Sequence, residues 1–536
     1  MYTKRKRGKK TMEITTLQCV CIGAWTAICM TGMLMGTYLT RCLVMAAGVG
    51  VILGDIETGL LMGAVGELAF LGFGVSSGGS VPPNPAGPGI IGAILAITMK
   101  KQGMDPEAAL AYSFPFAILI QFMITGIYTV ATGLVPKAEQ AVSKGNYKKF
   151  HFLANSTIFM FLAAGFLIGF LAASQNQNLE VLIGLIPKWL TEGLETAGKL
   201  LPAVGFAVIL SIMFSRDIAL FALLGYVMTA YLNCSVIVTF LAASAAACFA
   251  AGDKRRKSSG WLQKRKDGKK EVSPDISLRQ GRIPQKELRR LSRKTALKAY
   301  FLQNSYNYGN YEGVAYAEIL YPALKQMCRN EEELRQELRD SMGYCSVNPN
   351  FLPILTSFHL VSFQKGMSAR DTRDVRLALM GPLAGIGDSL VQFCFAPIFS
   401  TIGASMAQNE MIAGPIVFLL GMNGLLLGLK LFNEELGFRL STSLADKMKD
   451  YLGPISRGAR MVGTAIITGL VVTSVNIELA EFPMQEMADM LLPSASAAAL
   501  TGILCYLVKV RKWNMYQLVG ITLAAGIILK SAGILL

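Results

Sequence analysis

The sequence predicts an all-α polytopic membrane protein. Two membrane halves contain broken or re-entrant helices, and the second half carries a cytoplasmic helical subdomain. Of the 536 residues, 52% are hydrophobic and only 16% are charged, against about 25% charged in soluble globular chains. The apolar residues form long runs in two blocks, and the charged residues lie before and between these blocks. This pattern excludes a disordered, collagenous or disulfide-rich secreted chain.

The positive charge is confined to two hydrophilic stretches. The formal net charge is +16, of which residues 1–11 carry +6. Residues 253–298 hold 17 Lys and Arg against five Asp and Glu, a net +12, which leaves −2 for the rest of the chain. By the positive-inside rule both stretches are expected to be cytoplasmic and to face membrane lipid. They lack a soluble domain with interleaved aromatic residues, so no nucleic-acid partner is expected.

The first block begins with a membrane helix over residues 17–39. The next apolar runs are too short for a spanning helix, which needs about 20 residues, so half-helices, re-entrant segments or tilted elements are expected. These short runs cover residues 43–53, 60–75 and 90–99. Longer spans follow at residues 108–135, 158–173, 200–214 and 218–250, the last with room for a turn near Asn233.

A basic linker separates the two blocks. The predicted organisation is a tail at residues 1–11, a first membrane domain at 12–252, a cytoplasmic linker at 253–289 and a second domain at 290–536. Charges at helical spacing predict cytoplasmic helices over about 290–372, and the membrane part covers about 373–536. Its apolar runs are 375–407, 411–432, 461–473, 491–508 and 515–536.

In each half, Gly and Pro crowd beside an acid at membrane depth, within residues 54–89 and 380–397. Interrupted hydrophobic segments at corresponding positions of two halves point to the binding site of a transporter, because unwound backbone offers polar groups to a substrate. The alternative is close helix packing through small residues, as in GxxxG dimers. Small residues alone would not require the acids and prolines, so a binding site is favoured.

Two carboxylates and two amides are the candidate binding groups. Glu67 and Asp388 lie in apolar runs, where an unpaired carboxylate costs several kcal/mol, so each is a functional candidate. Carboxylates and amides also bind hydroxyl groups through paired hydrogen bonds, which adds Gln18 and Asn84. Asp55 fits a cap in a turn between helices better than a functional role.

No enzymatic apparatus is recognisable. The two histidines have no Cys, Asp or Glu nearby in sequence that suggests a triad or a metal cluster, and both are interpreted as structural. Most of the 10 cysteines lie in apolar runs without a CxxC pair. Walker A and HExxH motifs are missing from the sequence. No cofactor or metal is therefore expected, and the chain is predicted not to be an enzyme.

Several motifs resemble a known transport family. TLQ at residues 16–18, GVILGDIETG at 50–59 and GELAFLGFG followed by SVPPNP resemble the enzyme IIC subunit of the mannose/sorbose family of the bacterial phosphotransferase system. FLQNSYNYGNYEG at 301–313, YPALK from Tyr321 and LMGPLAGIGDSL at 379–390 resemble its enzyme IID subunit. The resemblance covers nearly the whole chain except the basic tail and linker, so the chain resembles a IIC–IID fusion.

The resemblance implies a sugar permease of the bacterial inner membrane with several passes. It would bind a hexose or amino sugar and carry it across the membrane by an elevator-type movement. The sugar would be delivered to a separate enzyme IIB, which enzyme IIA phosphorylates. A homotrimer of fused chains is implied. The motifs carry over a sugar-binding role to six residues: Gln18, Glu67, Ser76 and Asn84 in the first half, and Asn307 and Asp388 in the second.

The motifs also depart from the mannose-type pattern. Ser76 stands in place of Asn, Asn84 in place of Asp and Ala396 in place of Arg. Specificity for mannose or glucose is therefore not implied, and an amino sugar, a sorbose-like ketose or another hexose remains open. Met12 opens MEITTLQ, which resembles a family start, so residues 1–11 are interpreted as an extension or a misassigned start.

Two other functional classes fit the same composition. An ion-coupled secondary transporter could share the broken-helix design, with Glu67 or Asp388 carrying protons. A membrane scaffold or receptor without transport activity would use the cytoplasmic helices to bind partners, and its Gly/Pro segments would serve packing alone.

Overall fold

The computed structural model describes residues 14–71, 83–178, 187–234, 238–239, 241–247, 282–370, 372–440, 444–475, 477, 492–513 and 515–535. Regular structure in these ranges is helical, apart from isolated β-bridges from Tyr311 to Asn307 and to Cys345. The prediction of an all-α membrane protein is confirmed. Five described segments are long and apolar enough to cross a membrane: Thr16–Leu34, Pro106–Ser143, Tyr147–Ser174, Glu192–Ser211 and Ala413–Arg439.

The first half contains long helices on either side of short, broken ones. Its elements are α1 (Thr16–Leu34), α2 (Cys42–Leu53), α3 (Ile56–Ala69), a π-helix (Gly87–Gly92) that runs into α4 (Ala93–Thr98), α5 (Pro106–Thr132), α6 (Val135–Ser143), α7 (Tyr147–Ala154), α8 (Ser156–Ser174), α9 (Lys188–Met213) and α10 (Ala219–Ala230). The turn expected near Asn233 is present, because α10 ends at Ala230 and Asn233 adopts a left-handed φ of 48°.

The second half begins with a group of shorter helices. Its elements are α11 (Gln285–Lys298), a 3₁₀-helix (Ala299–Ser305), α12 (Gly313–Met327), α13 (Glu331–Ser341), α14 (Leu352–Gln364), α15 (Arg373–Leu390), a π-helix (Val391–Phe395), α16 (Ala396–Gln408), α17 (Ala413–Leu440), α18 (Leu444–Ser474), α19 (Ala495–Lys509) and α20 (Met515–Ser531). No candidate membrane span falls within α11–α14 as described.

Local sequence signals explain where the first helices begin and turn. Thr15 caps α1, since its hydroxyl accepts the backbone N–H of Gln18 at 3.3 Å. In return, the side-chain oxygen Oε1 of Gln18 accepts the backbone N–H of Thr15 at 3.0 Å. This reciprocal pair is a capping box, which satisfies two otherwise unpaired N–H groups. Gly54, with a φ of 79°, ends α2 in the left-handed conformation. Asp55 then caps α3 through the Thr58 N–H at 3.1 Å.

The two halves share one core. Helix α3 packs against α16, α10 packs against α18, and α9 packs against α19 and α20. The approach is close at small residues, because a Cβ placed on Gly526 would lie 2.6 Å from the Ala197 Cα. Dense packing of this kind fixes the halves relative to each other.

A buried acid of the second half adds a polar contact between the halves. Glu318 in α12 places Oε1 at 3.3 Å from Nδ1 of His151 in α7 and at 3.2 Å from Nζ of Lys298. Burial by itself would raise the pKa of Glu318, but the hydrogen bond from His151 and the charge of Lys298 hold it below its usual range. His151 thus makes a contact that no sequence spacing reveals.

The other histidine lies in the core of the second half. His359 in α14 is buried, and its Nδ1 is 3.3 Å from the Tyr316 hydroxyl. Burial, together with the nearby positive charge of Arg376, lowers its pKa to about 3. The imidazole is therefore neutral at physiological pH and serves packing.

The contact between α1 and α8 provides a test of the packing. Gly165→Leu should destabilise the protein by about 1–3 kcal/mol through overpacking, because a Cβ at Gly165 would lie 2.8 Å from the Ala27 Cα. Gly126→Leu is the matched control, since a Cβ there has no neighbour within 4 Å. The apparent Tm of the purified protein in detergent should fall by several degrees for Gly165→Leu alone. Equal Tm values for the two variants would contradict the close approach of α1 and α8.

Candidate functional site

In the described residues, both Gly/Pro-rich segments of the sequence are associated with a π-helix. Each contains or leads into a π-helix, Gly87–Gly92 in the first half and Val391–Phe395 in the second. π-Helical turns leave the regular α-helical hydrogen-bonding pattern and are frequent at functional sites. Glu67 lies near the end of α3, and Asp388 lies near the end of α15.

Glu67 is fully buried at the boundary between the halves and is paired there. Its Oε1 accepts hydrogen bonds from Arg41 Nε at 2.7 Å and from Ser400 Oγ at 2.5 Å. Its Oε2 lies 3.4 Å from the Leu43 N–H. Ser400 belongs to α16 of the second half, so one carboxylate joins the two halves.

Arg41 is a functional candidate that the sequence analysis missed. It directly precedes α2, and its side chain is 11% exposed beside a Glu67 side chain that has no exposure. A buried carboxylate needs a partner of opposite charge to offset its desolvation. The signal was present in the sequence, because Arg41 stands alone between two apolar runs and the reasoning applied to Glu67 applies equally to it.

Asp388 is held by an amide and keeps access to solvent. Its Oδ1 accepts from Asn348 Nδ2 at 2.9 Å. The side-chain oxygen Oδ1 of Asn348 accepts from the Asn350 N–H at 3.0 Å, and the side-chain oxygen Oδ1 of Asn350 accepts from Lys430 Nζ at 2.5 Å. Lys430 is 2% exposed and lies 3.9 Å from the centre of the Tyr300 ring. A chain of polar groups therefore leads from Asp388 into the core of the second half.

Tyr38 lies close to Asp388 and to Arg41, the partner of Glu67, and interacts electrostatically with both. It also lies near Gln392 in the second π-helix. Tyr38 has a φ of 60°, an unfavourable conformation for a residue with a Cβ. The preceding carbonyl, of Thr37, accepts from Asn423 Nδ2 of α17 at 3.0 Å, which ties this turn to the second half. The structure thus brings Glu67 and Asp388 to one region.

Gln18 lies away from this region. Besides its capping bonds, its Nε2 donates to the Ile52 carbonyl at 3.2 Å. Ile52 and Arg41 lie at opposite ends of α2, about 16 Å apart at 1.5 Å per residue. Gln18 therefore connects the first turn of α1 to the C-terminal end of α2.

Asn84 shapes the entry to the first π-helix. Its Oδ1 accepts the Ala86 N–H at 2.9 Å, and its own N–H donates to the Ala117 carbonyl at 3.0 Å. These bonds form a turn of the kind that Asn favours. Asp55 acts as the expected cap and also pairs with Lys100 at 3.1 Å. Ser76 lies outside the described residues.

Asn307 organises its own turn. Its Nδ2 donates to the Ser305 carbonyl and its Oδ1 accepts the Gly309 N–H, at 2.9 and 2.8 Å. The turn docks on the first half, where the Tyr308 N–H donates to Thr132 Oγ1 at 3.2 Å. Asn307 therefore supports the contact between the halves.

A separate cavity of about 180 Å³ lies between the halves. Its lining mixes polar and apolar groups and includes Glu107, Lys199 and Gln408, but neither Glu67 nor Asp388. The region around the two acids is different, because it combines carboxylate, guanidinium, amide and phenol groups from both halves. Such groups bind a polyhydroxylated ligand through paired hydrogen bonds.

The Arg41–Glu67 pair makes a quantitative prediction. Glu67→Gln should destabilise the protein by about 3–5 kcal/mol, because it leaves Arg41 buried without a counter-charge. Adding Arg41→Gln should recover part of that loss, so the two effects should not be additive. Lys100→Gln, which breaks the partly exposed pair with Asp55, should cost about 1 kcal/mol or less. Thermal unfolding of the purified variants measures these differences, and additive effects of the first two substitutions would contradict the pairing.

Two family models together match most of the chain. Residues 16–251 match the sorbose-specific IIC component of the phosphotransferase system, and residues 287–535 match the IID component of its mannose/fructose/sorbose family. In this system, IIC and IID are membrane transport components, and phosphoryl transfer takes place on separate IIA and IIB components.

Individual relatives agree with both matches. N-Acetylgalactosamine permease IIC component 1 of Escherichia coli K12 is 32% identical over 42% of this chain and 83% of its own length. The sorbose-specific EIID component of Lacticaseibacillus casei is 27% identical over 45% of this chain and 92% of its own length. A solved membrane protein structure is 26% identical, covers 44% of this chain and 96% of its own, and aligns with a TM-score of 0.41. The chain belongs to the mannose/sorbose family of the bacterial phosphotransferase system, with a IIC component followed in the same polypeptide by a IID component.

Proposed function

We propose that this permease binds a hexose or amino sugar at the boundary between its halves and delivers it to phosphorylated enzyme IIB, which phosphorylates it. One observation carries the proposal. Tyr38 of the IIC half lies close to Asp388 of the IID half and to Arg41, which pairs with Glu67. Ser400 and Asn423 of the IID half donate hydrogen bonds to Glu67 and to the Thr37 carbonyl. A ligand bound there would contact both components.

The chemistry of these groups suits sugar hydroxyls, which donate and accept hydrogen bonds. Asp388 has solvent access and a second oxygen, and Gln392 and Tyr38 can both donate and accept. Glu67 is engaged by Arg41 and Ser400 through one oxygen. In the proposal, the Arg41–Glu67 pair fixes one wall of the site while Asp388 provides an open acceptor.

The remaining candidate residues have supporting roles in the proposal. Asn84 shapes the turn before the first π-helix, and Gln18 connects the first turn of α1 to the C-terminal end of α2. Asn307 stabilises the turn of the IID half that contacts α5. Ser76 stays a proposed sugar ligand from the motif alone.

The relatives support a sugar of the hexose class. Their names specify N-acetylgalactosamine, sorbose, mannose and fructose. These sugars share several adjacent hydroxyl groups on a ring or chain, and in one of them an amide group replaces a hydroxyl. A site with several closely placed hydrogen-bond donors and acceptors can distinguish such isomers. When one sugar hydroxyl has a different position, a donor or acceptor of the protein loses its hydrogen-bond partner.

The assembly and movement are proposed from the family resemblance. A homotrimer of fused chains would sit in the bacterial inner membrane with residues 1–11 and 253–289 cytoplasmic, in line with their positive charge. The sugar site would cross the membrane in elevator fashion together with the short helices that carry it. Exposed apolar side chains on α5 and α8, such as Leu119, Phe122 and Leu167, suit contact with lipid.

Inverted membrane vesicles test the proposed function. With phosphoenolpyruvate, the general phosphotransferase proteins and the cognate IIA and IIB, vesicles containing the chain should form sugar phosphate. Asp388→Asn should lower that rate at least tenfold, about 1.4 kcal/mol or more, because it removes a charged acceptor from the sugar site. Asp105→Asn is the matched control, an exposed acid before α5 whose side chain makes no capping bond, and should leave the rate within about twofold.

Two outcomes of the vesicle experiment would overturn the proposal. Sugar uptake driven by a proton gradient with phosphoenolpyruvate absent would indicate an ion-coupled transporter. Equal rates for Asp388→Asn and Asp105→Asn would remove Asp388 from the site while leaving the transport function in place.

A further inference from the structure

The outer face of α11 carries a row of cations without partners. Lys286, Arg290 and Lys294 are exposed and make no ion pair or side-chain hydrogen bond with any described residue. They recur every four residues, which places them along one side of a helix. We propose that this basic face binds the headgroups of anionic phospholipids where α17 reaches the membrane surface.

The sequence of α11 separates an apolar side from a basic side. Leu288, Leu291 and Ala296 are buried, and α11 packs against α14 and α17. At 3.6 residues per turn, the three unpaired cations lie on the opposite part of the helix. Since tertiary contacts occupy the apolar side, the orientation of α11 is fixed and its cations must point outward.

Contacts with α17 place α11 near the membrane surface. Arg289 Nη2 lies 3.7 Å from Glu435 Oε1, and the Arg289 guanidinium lies 5.1 Å from the centre of the Phe438 ring. Arg293 Nε lies 3.9 Å from Glu434 Oε2. These partners lie in the last two turns of α17, whose segment Ala413–Arg439 is long and apolar enough to cross a membrane. Charged residues at the end of such a segment belong at the headgroup level.

The lipid-facing side of α17 leads directly to α11. Exposed apolar side chains recur on one face of α17, at Ile416, Leu420, Leu427 and Leu431. At about 100° per residue, this face is the one on which Glu434 and Phe438 meet α11. A lipid whose tails lie along these side chains would therefore place its headgroup beside α11.

An exposed apolar residue within the basic face favours lipid over an acidic protein. Leu297 is 45% exposed and falls on the same side of α11 as Arg290, and Phe301 just beyond the helix is 38% exposed. Apolar side chains among outward lysines and arginines are typical of helices at a membrane interface. Phosphate groups supply the negative charge that the unpaired cations lack.

Native mass spectrometry of the purified full chain tests this proposal. In detergent, the protein should retain phosphatidylglycerol in preference to phosphatidylcholine. The triple variant Lys286→Gln, Arg290→Gln, Lys294→Gln should bind phosphatidylglycerol at least tenfold more weakly, because each cation near an anionic lipid contributes about fivefold. Millimolar inorganic phosphate should not displace the lipid, since it lacks the acyl chains that contact α17.

Two control variants distinguish an effect of the positions of these cations from an effect of the total charge of the protein. The charge-conserving variant Lys286→Arg, Arg290→Lys, Lys294→Arg should retain the lipid. The second control removes the same number of charges from α12, α13 and the connection between them, through Lys325→Gln, Arg329→Gln and Arg339→Gln. This variant should retain phosphatidylglycerol as well as the unmodified protein does. Equal retention of the two lipids, or equal loss in both charge-removing variants, would overturn the proposal. Unchanged lipid retention together with lost binding of purified enzyme IIB would also overturn it, because the face would then bind a protein.

Discussion

A single buried carboxylate constrains how the two components of this permease fit together. Glu67 has no exposure and depends on Arg41 of its own half and Ser400 of the other half for hydrogen bonds. A carboxylate removed from water is stable only when its charge and lone pairs are satisfied. The α3–α16 contact must therefore form in one register, and the rest of the boundary is assembled around it.

Further polar contacts between the halves involve other elements. Glu318 pairs with His151, and the turn at Asn307 docks on α5 through Thr132. These contacts support the boundary from one end, while close-packed helices such as α9 and α20 hold it elsewhere. The short helices and π-helices near Glu67 and Asp388 depart from the regular backbone pattern, as the proposed sugar site requires, and long helices pack around them. Fusion of IIC to IID fixes their ratio at one to one and raises the effective concentration of each half for the other.

Much of this architecture follows from local sequence signals. Composition and run length predict an all-α membrane protein, the Gly/Pro segments mark both π-helices, and Asp55 is a cap as interpreted. Arg41 was missed although, like Glu67, it is a charged residue among apolar runs. Asn348 and Lys430 were missed because their partners are distant in sequence, and only the folded chain shows which groups meet. Gln18 and Asn307 show the opposite limit, since a motif identifies a residue without revealing whether its hydrogen bonds are already taken by the backbone.

The central claim is that one sugar contacts both halves at their boundary. A cryo-EM structure of the full chain with its transported sugar is the most direct measurement. Sugar density is expected within hydrogen-bonding distance of Asp388 and of at least one group near Glu67. Density confined to one half, or located in the cavity lined by Glu107 and Lys199, would contradict it.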